Sequence, residues 1–235
     1  MSPYTHKKLE IKNKQIWRKR EMKYKLNFLM LVLISGIFST LLHEFGHCIF
    51  YWIQKIPASM SLVMEYPLIN ITAKQYGIGS AGGPLVNIFL MIGAFYFAGK
   101  SEKKTKKWDI FSAVIIANSF YLIFRAILGI IKNDGGEIES VMNLFGLNFK
   151  VAAVLFIIIA ITVLVFWIRM FSIRISLGNF SYYLFLFISY MVIIMVMEGI
   201  DTKYFRNNYP TIEIEDVGIH NPHNFNPPSP GNGEV

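Results

Sequence analysis

The chain has 235 residues, of which 54% are hydrophobic and only 16% charged. A soluble domain carries about 25% charged residues, so this composition excludes an ordinary soluble globule. The net charge of +8 raises nucleic acid as a partner, but no base-reading element accompanies the basic residues. Their distribution marks membrane connections instead, so the expected neighbour is anionic lipid, with no nucleic acid bound.

In chain order, residues 1–25 hold nine Lys or Arg against Glu10 and Glu21. Five apolar blocks follow: Leu26 to Ile53, Pro84 to Ala98, Ile110 to Ile131, Val151 to Ile168 and Phe180 to Ile200. Four reach or approach the ~17–25 residues that a membrane-crossing helix needs, and the Pro84 block is the shortest. The first is too long for a signal-peptide core and lacks a small-residue cleavage site, so it reads as a retained helix. Basic clusters recur at Lys100 to Lys107 and at Arg169 and Arg174, so every second connection is basic. That positive-inside pattern predicts a multi-pass cell-membrane protein with its N-terminus inside and C-terminus outside. The predicted fold is an all-α polytopic bundle of about five transmembrane helices. A small β-like insertion is expected after the first, over Met60 to Thr72. The predicted organisation is a basic cytoplasmic segment over 1–25, a membrane-embedded domain over 26–200 and a flexible tail over 201–235, rich in Pro, Asn and Gly after Asn207. There is no internal repeat.

The first block contains His43-Glu44-Phe45-Gly46-His47. Residues four apart share a helix face, so His43 and His47 can present imidazoles to one ion. Zinc lowers the pKa of water toward ~7, and Glu44 lies beside the first ligand as the base that takes its proton. Two histidines leave zinc underliganded, since catalytic sites usually take three protein ligands and keep one position open. The third block ends in Lys132-Asn133-Asp134-Gly135-Gly136-Glu137, and the inferred topology brings that turn to the membrane side where the His-bearing helix ends. Asp134 is the first choice as third ligand. Glu137 is its nearest rival, and Glu198 and Asp201 are weaker ones. Ser80-Ala81-Gly82-Gly83-Pro84-Leu85-Val86-Asn87 opens the second block; Pro84 suits a first helical turn, and the Asn87 amide needs a polar partner. Cys48, the only cysteine, excludes internal disulfides and thiolate clusters and is read as packing. Arg125 is read as a structural charge meeting a carboxylate or carbonyls, with Asn118 on its face. His220 and His223 are read as solvated tail residues.

These motifs, in this order, resemble the site-2 protease family of intramembrane zinc metalloproteases, which shows H-E-x-x-H, G-P-x-x-N and Asp-Gly elements on three successive helices. The resemblance covers roughly Leu26 to Glu137. It implies that His43, His47 and Asp134 bind Zn2+, that Glu44 is the catalytic base, and that Asn87, Gly83 and Pro84 contact substrate. It also implies that the β-leaning insertion offers an edge to an extended substrate. The Asn-Pro stretch that usually precedes the Asp motif is reduced here to Lys132-Asn133, and there is no room for a PDZ module. The charge pattern places the motif nearer the outer face, about 25 Å along the helix from Leu26, whereas family members generally hold it nearer the cytoplasmic face.

The expected function is therefore hydrolysis of a peptide bond within or next to the membrane. The substrate would be a membrane-anchored protein or a short exported peptide, unwound locally at the cut, and the compact chain fits a bacterial source. Two rivals stand beside it. One is a non-catalytic membrane protein using the zinc site as a structural or binding element, which has no need of Glu44. The other is a transporter, which would need polar groups in the fourth and fifth blocks.

Overall fold

The computed structural model describes residues 3–102, 105–132, 136–170, 177–205 and 214–215. The elements run α1 (Pro3–Ile53), β1 (Ala58–Met60), β2 (Glu65–Pro67), β3 (Ile71–Thr72), α2 (Ala73–Ser80), α3 (Gly82–Lys100), α4 (Lys106–Lys132), α5 (Gly136–Asn143), α6 (Phe149–Met170), α7 (Leu177–Tyr204) and β4 (Ile214–Glu215). Among the described residues, five helical spans are long and apolar enough to cross a membrane. The largely helical architecture, with five spans of that kind, and the small β insertion thus match the sequence reading.

The helix of the first block does not begin at Leu26. It extends back through the basic segment to Pro3, because Lys, Arg, Glu, Gln and Met are all good helix formers and no breaker interrupts them. The second block is longer than its apolar core because α2 completes it, giving a span of Ala73–Lys100. Thr72 caps α2: its hydroxyl accepts from Gln75 N, while the Gln75 side chain accepts from Thr72 N at 2.9 Å. The break between α2 and α3 falls at Ala81. Pro84, three residues on, lacks the N–H that would have bonded the Ser80 carbonyl.

Helix α4 is the most buried span and packs against α1, α3 and α6. Small residues on it, Ser112, Ala113, Ala117, Ser119 and Ala126, are buried and let neighbouring backbones approach, as in other membrane helix bundles. Asn118 donates to Ser39 Oγ on α1 at 3.0 Å, so this buried amide joins two helices. Large apolar side chains such as Ile158, Phe166, Val192 and Met195 face outward, which is compatible with a surface in lipid.

The bundle has two distinct ends. At one, Tyr24 donates to Asp109 at 2.8 Å and Tyr182 donates to the Lys25 carbonyl at 2.6 Å, which gathers the starts of α4 and α7 beside the basic part of α1. The H-E-x-x-H turn, the β strands and α5 lie at the other. There β1 and β2 form an antiparallel hairpin pairing Ser59 with Tyr66, and β3 pairs in parallel with β4. Asp201, fully buried near the end of α7, accepts from Ser61 Oγ and Leu62 N, both at 2.8 Å. It fastens the hairpin turn to the last helix and takes no part in the ligand group below.

Candidate metal centre

Two glycines set the geometry before any ligand is considered. A Cβ on Gly82 would lie 2.2 Å from the Gly46 carbonyl oxygen, and one on Gly46 would lie 2.7 Å from that of Gly82. Helices α1 and α3 therefore touch backbone to backbone at the H-E-x-x-H turn. Gly83 closes the same contact from one side, since a Cβ there would sit 2.4 Å from His47 Nε2 and 2.5 Å from His43 Nε2.

Both imidazoles are buried and held from behind. His47 Nδ1 lies 2.9 Å from the Gly79 carbonyl and 3.3 Å from Gly83 N. The shorter contact requires a proton on Nδ1, which leaves the Nε2 lone pair pointing into the site. His43 Nδ1 lies 3.1 Å from the Asn87 amide nitrogen, while Asn87 Oδ1 is buried without a partner. Turning that amide about its axis lets His43 Nδ1–H donate to Oδ1, so both histidines present Nε2 forward. Gly83 and Asn87, expected at the substrate, are thus both in contact with the histidines.

The third group is Glu137. Its Oε2 lies 2.9 Å from His43 Nε2 and 3.5 Å from His47 Nε2, and the two nitrogens are 3.1 Å apart. Tetrahedral zinc with bonds of 2.0–2.1 Å requires ligand atoms about 3.3 Å apart. The observed triangle brackets that spacing. Without a metal ion, or a proton on one Nε2 in its place, two lone pairs and a carboxylate oxygen would face one another in a buried space, which is repulsive. The donor set therefore fits a metal ion, and His43, His47 and Glu137 can hold one. Asp134, the sequence's first choice for the third position, lies outside the described residues. Glu137 arrives because α5 starts at Gly136, whose φ of +50° favours glycine, and its first turn reaches back over α1.

Glu137 is itself held. Arg125 donates to its Oε1, so Arg125 meets a carboxylate as its sequence reading anticipated. Burial pushes the Glu137 carboxyl up, but Arg125 and then His43 outweigh it and hold it well below the usual carboxylate range. The group stays ionised, as a metal ligand must.

Glu44 points elsewhere. It shares a helix face with Thr40, and both line a cavity of about 240 Å3 together with Arg125 and Glu137. The Glu44 carboxylate is buried, and its Oε2 has no partner among the described residues. Glu65, on β2, brings a carboxylate oxygen within 4.8 Å of both the Glu44 and His47 ligand atoms. Sequence reasoning passed over it, although Glu65 is the only charged residue from Met60 to Thr72. Glu198 lines the cavity without joining the ligand group, and Cys48 is a buried free thiol. Family models, curated proteins and solved structures were all compared with the chain, and none matches.

Proposed function

We propose that this chain is a membrane-embedded zinc metalloprotease that hydrolyses a peptide bond within or next to the membrane. One observation carries the reading: a three-ligand triangle lies beside the buried carboxyl group of Glu44, which lines a cavity and has one oxygen, Oε2, without a partner among the described residues. A structural clip needs the triangle but gains nothing from Glu44. Burying a carboxyl oxygen with no hydrogen bond is unfavourable, so a site that keeps one has a use for it.

Held by His43, His47 and Glu137, zinc would supply a Lewis acid that polarises a carbonyl and makes water more acidic. Glu44 would then take the proton from the attacking water and pass it to the departing nitrogen. Asn87 and the Gly79 carbonyl keep the imidazoles oriented, and Arg125 keeps Glu137 ionised and in place. Whichever way the Asn87 amide is turned, half of it is unsatisfied, and a substrate backbone is the group expected to take it. The β1–β2 hairpin stands over the cavity, where its edge can pair with an extended peptide. The substrate is accordingly a membrane-anchored protein or a short exported peptide. The motif end of the bundle lies opposite the basic connections, so the charge rule points the site away from the cytoplasm.

The test compares purified wild type with Glu44→Gln, measuring bound zinc by elemental analysis and cleavage of a panel of membrane peptides. Both are expected to hold about one zinc per chain, and only wild type is expected to cleave. Zinc in both with cleavage by neither would move the structural-clip reading ahead.

A further inference from the structure

The charges lining the cavity do not balance. Glu44, Glu65, Glu137 and Glu198 face it, and Arg125 is its one cation among the described residues. Arg125 is committed to Glu137, and Glu137 also meets both histidines. No Lys or Arg pairs with Glu65 or Glu198 among the described residues. Glu65 is carried on a paired strand opposite Met60, and the turn between the strands is fastened by Asp201, so its position is built rather than incidental. Beside it stands the unpartnered Oε2 of Glu44.

A second metal ion held by Glu44, His47 and Glu65 would need a free nitrogen on His47. Both are engaged, Nδ1 with Gly79 and Nε2 with His43 and Glu137. The remaining wall carries the hydroxyl-bearing Thr40, Tyr76 and Tyr121 but is otherwise largely apolar, including Val63, Met64, Leu128 and Ile194, which suits the methylene stem of a long basic side chain.

We propose that this cavity selects a cationic peptide group, a Lys or Arg side chain or a free α-amine near the scissile bond, through the carboxylates of Glu65 and Glu198. The proposal rests on the protease reading of the same cavity and names its substrate class.

The test separates recognition from chemistry by measuring binding on the zinc-loaded Glu44→Gln protein. Labelled, N-acetylated peptides differing only in Lys, norleucine or Glu near the centre are titrated by fluorescence anisotropy, with an unacetylated norleucine peptide alongside. The Lys peptide should bind roughly tenfold or more tighter than norleucine, as a partly desolvated ion pair predicts. Adding Glu65→Gln should abolish that advantage, Glu65→Lys should invert it toward the Glu peptide, and Glu198→Gln should reduce it. Zinc content, unchanged throughout, verifies the fold. Tighter binding of the unacetylated over the acetylated norleucine peptide would identify the α-amine as the cation. Equal affinities across all four peptides, a cation advantage that survives Glu65→Gln, or no binding by any peptide would overturn the proposal. Wild-type cleavage is scored separately. Charge-selective binding without cleavage would sink the protease reading alone, whereas cleavage without charge preference would sink this inference alone.

Discussion

Replacing Gly83 with alanine tests the centre without touching any ligand. The new Cβ would lie 2.4 Å from His47 Nε2, 2.5 Å from His43 Nε2 and 2.6 Å from His43 Cε1. Ordinary contact requires about 3.5 Å, so the rings must retreat by about 1 Å. They have little room to do so, since His47 is tied to Gly79 and His43 to Asn87. Metal sites tolerate ligand displacements of only about 0.2 Å, so the required shift is several times too large. Glycine to alanine within a helix would otherwise raise stability by roughly 0.5–1 kcal/mol. Zinc affinity, measured by competition with a chromophoric chelator, should fall at least about 100-fold, a figure at the top of the range for a disturbed ligand support. Gly99→Ala, with nothing within 4 Å of its added Cβ, should leave affinity unchanged. Full zinc affinity in Gly83→Ala would refute the claim that α3 backbone forms one wall of the centre.

Glu137→Gln should lose zinc to a similar extent while Asp134→Asn retains it, both read by elemental analysis; the reverse result would reassign the third ligand to Asp134. Gly46→Ala places a Cβ 2.7 Å from the Gly82 oxygen, which belongs to backbone that cannot rotate away. Its denaturation midpoint in detergent should fall by an amount corresponding to about 1–3 kcal/mol, and a midpoint equal to wild type would contradict the close crossing. The metal-free protein should also carry an acid-side signature, because the folded Glu137 carboxyl titrates well below its usual value. Its stabilisation is complete above the unfolded pKa of about 4.3 and is lost as pH falls through the lower folded value. Unfolding free energy should drop below about pH 4.3 and drop less steeply in Glu137→Gln. Identical acid slopes in the two proteins would remove Arg125 and His43 as the cause.

What the sequence made legible was local. His43, Glu44 and His47 lie within about one helical turn, so spacing alone puts the two candidate ligands on one face and Glu44 on another. Apolar run lengths gave the spans, except that α2 mixes Lys, Gln, Gly and Ser with Ala, Tyr and Ile and so hides its share of the second span behind small and polar residues and a capping box. The third ligand was harder. Asp134 and Glu137 lie three residues apart, and ranking them requires knowing that α5 begins at Gly136. The Asp201 clasp joins residues 139 and 140 positions apart, and no local pattern foretells it. A usable signal did exist, since a carboxylate at the end of a membrane helix must find donors somewhere. The same reasoning, applied to a lone Glu in an otherwise uncharged β-leaning stretch, would have singled out Glu65.

The Gly46–Gly82 crossing also bears on how still the centre is kept. Side chains hop between rotamers on picosecond to nanosecond timescales, and a contact made by long side chains inherits that motion. Here the contact is largely main chain against main chain, with only the stiff, β-branched Val86 side chain beside it, so little χ motion reaches the crossing and little rotamer entropy is lost on forming it. At this point the separation between the helix bearing both imidazoles and the helix bearing Asn87 is set by hard-sphere backbone contact. Such a joint keeps the candidate ligands pre-arranged, and residues that contribute no ligand atom hold its tolerances.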